Sequence, residues 1–165
     1  MILQKMQLQN IETPIDKKER YNLLIKQIES IIVDEIPDSG NIGNILGLMK
    51  SELDLFWVGL YIRNGSTLGL GVFQGLPACT VIQWGRGVCG AAAATGETVI
   101  VDDVSEFPGY IACHAETASE IVVPGFKNGQ VVFVLDVDSA STSAFDNTDK
   151  TYLEQISQIL SRFVK

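Results

Sequence analysis

The residues in this chain best suited to covalent chemistry are three cysteines, Cys79, Cys89 and Cys113. Their number is odd, they lack a Cys-x-x-Cys pair, and the start of the chain has too short an apolar stretch for a secretory leader. A structural disulfide framework is therefore disfavoured. The spacing Cys-x9-Cys-x23-Cys also lacks the close ligand pairs of structural zinc sites, so no metal is expected. Two readings stay open at this point: buried bystander thiols, or a nucleophilic thiol with a partner that resolves it. A second group of candidates is acidic. In the run Val131-Val132-Phe133-Val134-Leu135-Asp136-Val137-Asp138, a period of two puts Asp136 and Asp138 on the same face of a strand. Glu120 opens the apolar stretch before it, and a turn at Asn128-Gly129 folds that stretch back beside the pair. The three acids are either solvated strand ends or a pocket whose like charges require a cation or a shared proton. An amino-acid ammonium would supply that cation. A third candidate is aromatic: Trp57, Gly59 and Tyr61 share a strand face, with the glycine leaving room between two rings for a small amphipathic ligand.

These side chains need a scaffold, and the apolar periodicity supplies one. Thr13-Pro14-Ile15-Asp16 reads as a helix start, followed by one apolar face at Tyr21, Leu24, Ile25, Ile28, Ile31 and Ile32. Pro37-Asp38-Ser39-Gly40 ends that helix, and a second follows with Ile42, Ile45, Leu46, Met49 and Leu53 on one side. Residues 55–62 and 67–73 read as a hairpin across Asn64-Gly65. A short alanine helix covers residues 91–94, and Val99-Ile100-Val101 is a short strand. Residues 121–123 and 130–138 form a second hairpin, and Asp146 with Asp149 caps a last helix carrying Tyr152, Leu153, Ile156, Ile159, Leu160 and Phe163 inward. The expected fold is α+β: an antiparallel sheet of about six strands with N- and C-terminal helices packed on one face. Two long connections remain, residues 74–90 and 102–119, and together they hold all three cysteines. Loops of that length in a compact domain tend to be functional. If both lie over one face of the sheet, Cys79 and Cys113 can meet.

Bulk properties exclude several classes of function. The 165 residues carry 12 Lys and Arg against 20 Asp and Glu, a net charge of −8. Nucleic-acid affinity depends on clustered basic side chains, so neither a nucleic acid nor an anionic membrane is an expected partner. No apolar run approaches the ~20 residues that span a bilayer. A cytoplasmic protein is the expectation.

The motifs taken together resemble one family. Phe56-Trp57-Val58-Gly59-Leu60-Tyr61, Gly85-Arg86-Gly87-Val88-Cys89-Gly90, Tyr110-Ile111-Ala112-Cys113, Ser119-Glu120-Ile121-Val122-Val123-Pro124 and Val134-Leu135-Asp136-Val137-Asp138-Ser139 resemble, in this order, the free methionine-(R)-sulfoxide reductases, which are single GAF domains. The resemblance covers residues 18–165 and leaves 1–17 as an N-terminal extension. It implies an oxidoreductase that reduces free L-methionine (R)-S-oxide, with no bound cofactor and with NADPH-coupled thioredoxin as external reductant. It makes Cys113 the nucleophile and, through Phe73-Gln74-Gly75-Leu76-Pro77-Ala78-Cys79, makes Cys79 the resolving thiol. Cys89 matches a third family cysteine. Trp57 and Tyr61 line the pocket, and Glu120, Asp136 and Asp138 match its acids. The family also tends to dimerise, so a homodimer is expected.

One position departs from the pattern, since His114 stands where the family has an aspartate. A surface substitution is the preferred reading, and an imidazolium stabilising the Cys113 thiolate is the alternative. The expected chemistry has Cys113 attack the sulfoxide sulfur while a protonated Glu120 or Asp138 donates to its oxygen, with Asp136 holding the ammonium. Two rival readings are a GAF module that binds a small ligand without chemistry, and a sensor whose cysteines respond to peroxide.

Overall fold

Alternation along three central strands decides what lies on each side of the sheet. A computed structural model describes residues 15–165 of the chain. Strand β1 spans Trp57–Asn64, β2 Thr67–Gln74, β3 Val81–Gln83, β4 Val99–Val101, β5 Ser119–Lys127 and β6 Gln130–Ser139. They form one sheet in the order β3-β2-β1-β6-β5-β4, and every pairing is antiparallel. Val58 and Leu60 of β1, Ile121 and Val123 of β5, and Phe133, Leu135 and Val137 of β6 point to one face. There they join the helices α1 (Lys17–Ile31), α2 (Asp38–Leu53) and α4 (Asn147–Leu160) in the main core. Trp57, Tyr61, Val122 and Val134 point to the other face, which is covered by the short helix α3 (Gly87–Thr95) and the two long connections. The terminal helices therefore do cover one face, as the periodicity predicts.

The helix boundaries differ from the sequence reading at the N-terminal side. Thr13 and Pro14 lie outside the described residues. Asp16 is the N-cap of α1 and makes no side-chain capping bond. Asp38, Ser39 and Gly40 are not a terminator: α1 ends at Ile31, and these residues form the first turn of α2 behind Pro37. Proline is favoured at a helix entrance, and Asp38 suits the positive end of the helix dipole there. The cap of α4 is as expected. Asp146 accepts from the Thr148 and Asp149 backbone, and Asp149 returns a bond to the Asp146 N–H. Asp149 also accepts from the Tyr21 hydroxyl at 2.8 Å and pairs with Lys17, which ties α4 to α1. The alanine helix is longer than its alanines, since it begins at Gly87 and so takes Cys89 into its first turn. Gly96 ends it in the left-handed region, φ 69°.

The space expected over Gly59 is already occupied. A Cβ at this position would lie 2.3 Å from the Trp57 ring and 2.6 Å from Phe73 Cβ. Glycine here lets the indole fold back across its own strand and stack on Phe73, with ring centroids 5.6 Å apart. Gly59→Ala is therefore expected to destabilise the fold by ~1–3 kcal/mol through overpacking. Denaturant titration followed by Trp fluorescence reads both the lost stability and the displaced indole.

Candidate active site

Strand register brings the acids together on the face away from the terminal helices. Glu120 pairs with Asp138, and Asp138 pairs on its other side with Trp57. One step inward, Val122 pairs with Asp136, and Asp136 pairs with Gly59. Two neighbouring rows of the sheet thus carry Trp57, Asp138 and Glu120, then Gly59, Asp136 and Val122. The three carboxyls are buried, at 5–7% exposure, so they are not solvated strand ends. Burial pushes Glu120 and Asp136 well above the usual carboxylate range; Asp136 and Asp138 push Glu120 further, and Asp138 pushes Asp136 further against hydrogen bonds from Glu120 and Cys89. Asp138 is pushed up to about 6 by burial, against the Thr117 hydroxyl and His114, which favour its charged form. Thr117 Oγ1 donates to Asp138 Oδ2 at 3.1 Å. One oxygen of Asp136, Oδ1, is fully buried and has no hydrogen-bond partner among the described residues.

The cysteines arrive from the two long connections. Cys79 and Cys113 are joined by a disulfide, with their Cα atoms 5.3 Å apart. Cys89 is a free, buried thiol on α3, and its Sγ donates to Glu120 Oε1 at 3.9 Å. Burial and the adjacent acids push the Cys89 thiol well up, which keeps it protonated. Donor atoms of Cys89, Glu120 and Asp136 all lie within 4.8 Å of one another, a spacing that metal ligands can adopt. A protonated thiol is a poor metal ligand, however, and the orphaned Asp136 oxygen suits an ammonium donor equally well.

The aromatic pair anchors the segment that carries Cys79. Trp57 Nε1 donates to the Leu76 carbonyl at 2.9 Å, and the Tyr61 hydroxyl donates to the Cys79 carbonyl at 2.9 Å. Between the disulfide and the acids lies a cavity of about 20 Å³, lined in part by Arg86, Tyr110, Cys113, Glu120, Asp136 and Asp138. That volume holds about one water molecule. In the disulfide state the site is therefore closed to anything the size of an amino acid.

Sequence reasoning did not anticipate three features. Tyr110 and Thr117 sit beside the acids, and only their place in the connection that carries Cys113 hinted at this. His114 is buried at 7% exposure, which overturns its reading as a surface substitution. Its ring packs edge-on against Phe56, 5.6 Å between centroids, and lies 5.8 Å from Trp57.

Comparison with known proteins gives a consistent result. The GAF domain family matches residues 44–165. The "GAF domain-containing protein A" of Dictyostelium discoideum is 44% identical, over 87% of this chain and 92% of its own. The free methionine-R-sulfoxide reductase of Saccharomyces cerevisiae is 40% identical, over 93% of this chain and 90% of its own. The crystal structure of free methionine-R-sulfoxide reductase from Neisseria meningitidis, in complex with its substrate, superposes with a TM-score of 0.86 at 43% identity, covering 90% of each chain.

Proposed function

This chain belongs to the free methionine-R-sulfoxide reductase family of GAF domains, and on that premise we propose that it reduces free L-methionine (R)-S-oxide by a thiol mechanism centred on Cys113. The observation that carries this reading is the proximity of a redox-active sulfur to buried acids. Cys113, one half of a disulfide, shares a cavity with Glu120, Asp136 and Asp138.

The chemistry follows from what a sulfoxide requires. Its sulfur is electrophilic, but its oxygen leaves only when protonated. With the disulfide reduced, the Cys113 thiolate attacks the sulfur while Glu120 or Asp138 delivers a proton to the oxygen. Their burial supports this role, because it keeps a carboxyl protonated at a pH where an exposed one would be ionised. Such general-acid help contributes typically ~10²–10⁴-fold. Methionine departs and the oxygen remains on Cys113 as sulfenic acid. Cys79 then attacks the Cys113 sulfur, water leaves, and the disulfide forms. An external dithiol, thioredoxin with NADPH behind it, exchanges with that disulfide and restores both thiols. The scheme needs a reducing compartment, which is why the cytoplasm is the expected location.

Selectivity for the free amino acid rests on charge. Asp136, with its unpartnered oxygen, and a neighbouring acid receive the substrate ammonium, which a peptide-bound methionine sulfoxide lacks. Trp57 and Tyr61 form the wall against which the methyl sulfoxide end packs once the disulfide is reduced. Cys89, protonated and bonded to Glu120, orients that acid. The functional unit is residues 18–165, acting as a homodimer, with residues 1–17 as an extension.

A coupled assay tests the proposal. NADPH oxidation by thioredoxin reductase, thioredoxin and this protein is expected to depend on free methionine (R)-sulfoxide. It is expected to stay at background with the S epimer or with an N-acetylated substrate, which lacks the ammonium. Equal rates with the N-acetyl compound would refute the ammonium site. Tight ligand binding with no NADPH oxidation would favour a ligand-sensing module instead.

A further inference from the structure

His114 makes contacts that the reaction scheme above does not use. Its Nε2 lies 3.1 Å from the carbonyl oxygen of Pro77, two residues before Cys79. A carbonyl can only accept, so Nε2 is the donor in this bond. The other ring nitrogen, Nδ1, is buried without a hydrogen-bond partner and lies 3.6 Å from Asp138 Oδ2. A single ring therefore spans three parts of the site: the turn that carries Cys113, the segment that carries Cys79, and the acid strand β6.

The segment ending in Cys79 is held by three donors. Trp57 and Tyr61 reach it from β1, which the sheet fixes in place. His114 reaches it from the residue next to Cys113. When the disulfide is reduced, the first two bonds hold Cys79 to the sheet but do nothing to hold Cys113 near it. The His114–Pro77 bond links the two cysteine segments without sulfur.

We propose that His114 is a positioning residue for the second half-reaction: by donating to the Pro77 carbonyl it keeps Cys79 beside Cys113, so that the sulfenic acid is captured by this thiol. The step it serves is Cys113–SOH plus Cys79–SH giving the S–S bond and water, with Cys79 oxidised and Cys113 reduced. Holding two reactants together raises their effective concentration, and removing the tether slows their meeting. The proposal rests on the reading of Cys113 as nucleophile and Cys79 as resolving thiol. It goes beyond that reading by assigning a role to a residue that the family pattern does not supply.

The experiment separates the two half-reactions. The reduced protein is mixed with free methionine (R)-sulfoxide in a rapid-quench apparatus. Released methionine reports the first step. Loss of free thiols and dimedone-trappable sulfenic acid report the second. In His114→Ala, disulfide formation is expected to slow about tenfold more than the methionine burst does, and dimedone trapping to rise. Two further variants divide the ring's functions. His114→Gln places its amide N–H where Nε2 stood and is expected to restore disulfide formation. His114→Asn reaches only toward Asp138 and is expected to resemble alanine.

A redox titration of the Cys79–Cys113 pair against dithiothreitol needs no substrate. A tenfold loss of effective concentration appears there as a potential about 30 mV less negative in His114→Ala, recovered in His114→Gln. Wild-type disulfide kinetics in His114→Ala, or equal impairment in the Gln and Asn variants, would overturn the proposal. Should the alanine variant not fold, the Gln and Asn pair still decides the matter. Absence of any methionine burst in the wild type would instead remove the reductase reading, whereas the titration would still report the tether.

Discussion

Cys113→Ser is expected to release no methionine at all, whereas Cys79→Ser is expected to release one equivalent and then stop. The two outcomes follow from unequal positions in the site. Cys113 lines the cavity with the three acids, so its sulfur is the one a bound sulfoxide is expected to meet. Serine at that position offers a neutral hydroxyl, which is a far weaker nucleophile than a thiolate. Cys79 stands on the other side of the disulfide, in the segment anchored by Trp57 and Tyr61. Without it the first transfer of oxygen still runs, but Cys113 is left as sulfenic acid. Quench-flow with amino-acid analysis gives the burst, and mass spectrometry after dimedone treatment locates the oxidised sulfur. Thioredoxin-dependent NADPH oxidation is expected to vanish in both variants. Cys89 sharpens the experiment, since it is the third thiol and lines the same cavity. Full cycling in Cys79→Ser would mean that Cys89 resolves the sulfenic acid. Its protonated state and its bond to Glu120 argue against that.

Much of this site is legible in the sequence because strands obey a period of two. The placing of Asp136 and Asp138 on one face, and of Glu120 beside them, needs only alternation and the Asn128-Gly129 turn, and the register agrees. The terminal helices are legible for the same kind of reason, since their apolar spacing is regular. What alternation does not carry is the path of the irregular connections. The short strand β3 lies inside the stretch read as a loop, because three residues give too little pattern to register. The burial of His114 depends on a turn folding over Phe56 and Trp57, and a lone histidine has no sequence signal for that. Gly59 was readable as a gap between rings but not as a gap filled by the indole of Trp57, because the rotamer decides it. The Cys79–Cys113 pairing came from family resemblance, and spacing alone left it open.

Asp136→Asn is expected to stabilise the folded protein and to weaken the substrate complex at the same time. The stabilising half follows from the raised pKa values. An unfolded aspartate titrates near ~3.9, whereas Asp136 in the fold titrates well above that, and Asp138 near about 6. Between the unfolded and folded values the native protein holds more protons than the unfolded chain, so its stability falls as pH rises through that window. At neutral pH the cluster is therefore a net cost to stability. An amide at position 136 removes one titrating carboxyl from it. The melting temperature of the variant is expected to exceed that of the wild type at pH 8, and the two to converge near pH 4. The weakening half follows from the Oδ1 that has no hydrogen-bond partner among the described residues. A charge-assisted bond from the substrate ammonium would supply that partner, and losing it costs about 1.5–3 kcal/mol, roughly 10–150-fold in KM. An N-acetyl analogue lacks that ammonium, so its weak binding is expected to be the same in the variant and the wild type. A variant that binds the free amino acid as tightly as the wild type, or that melts lower at pH 8, would show that the acids are not held there for a cation.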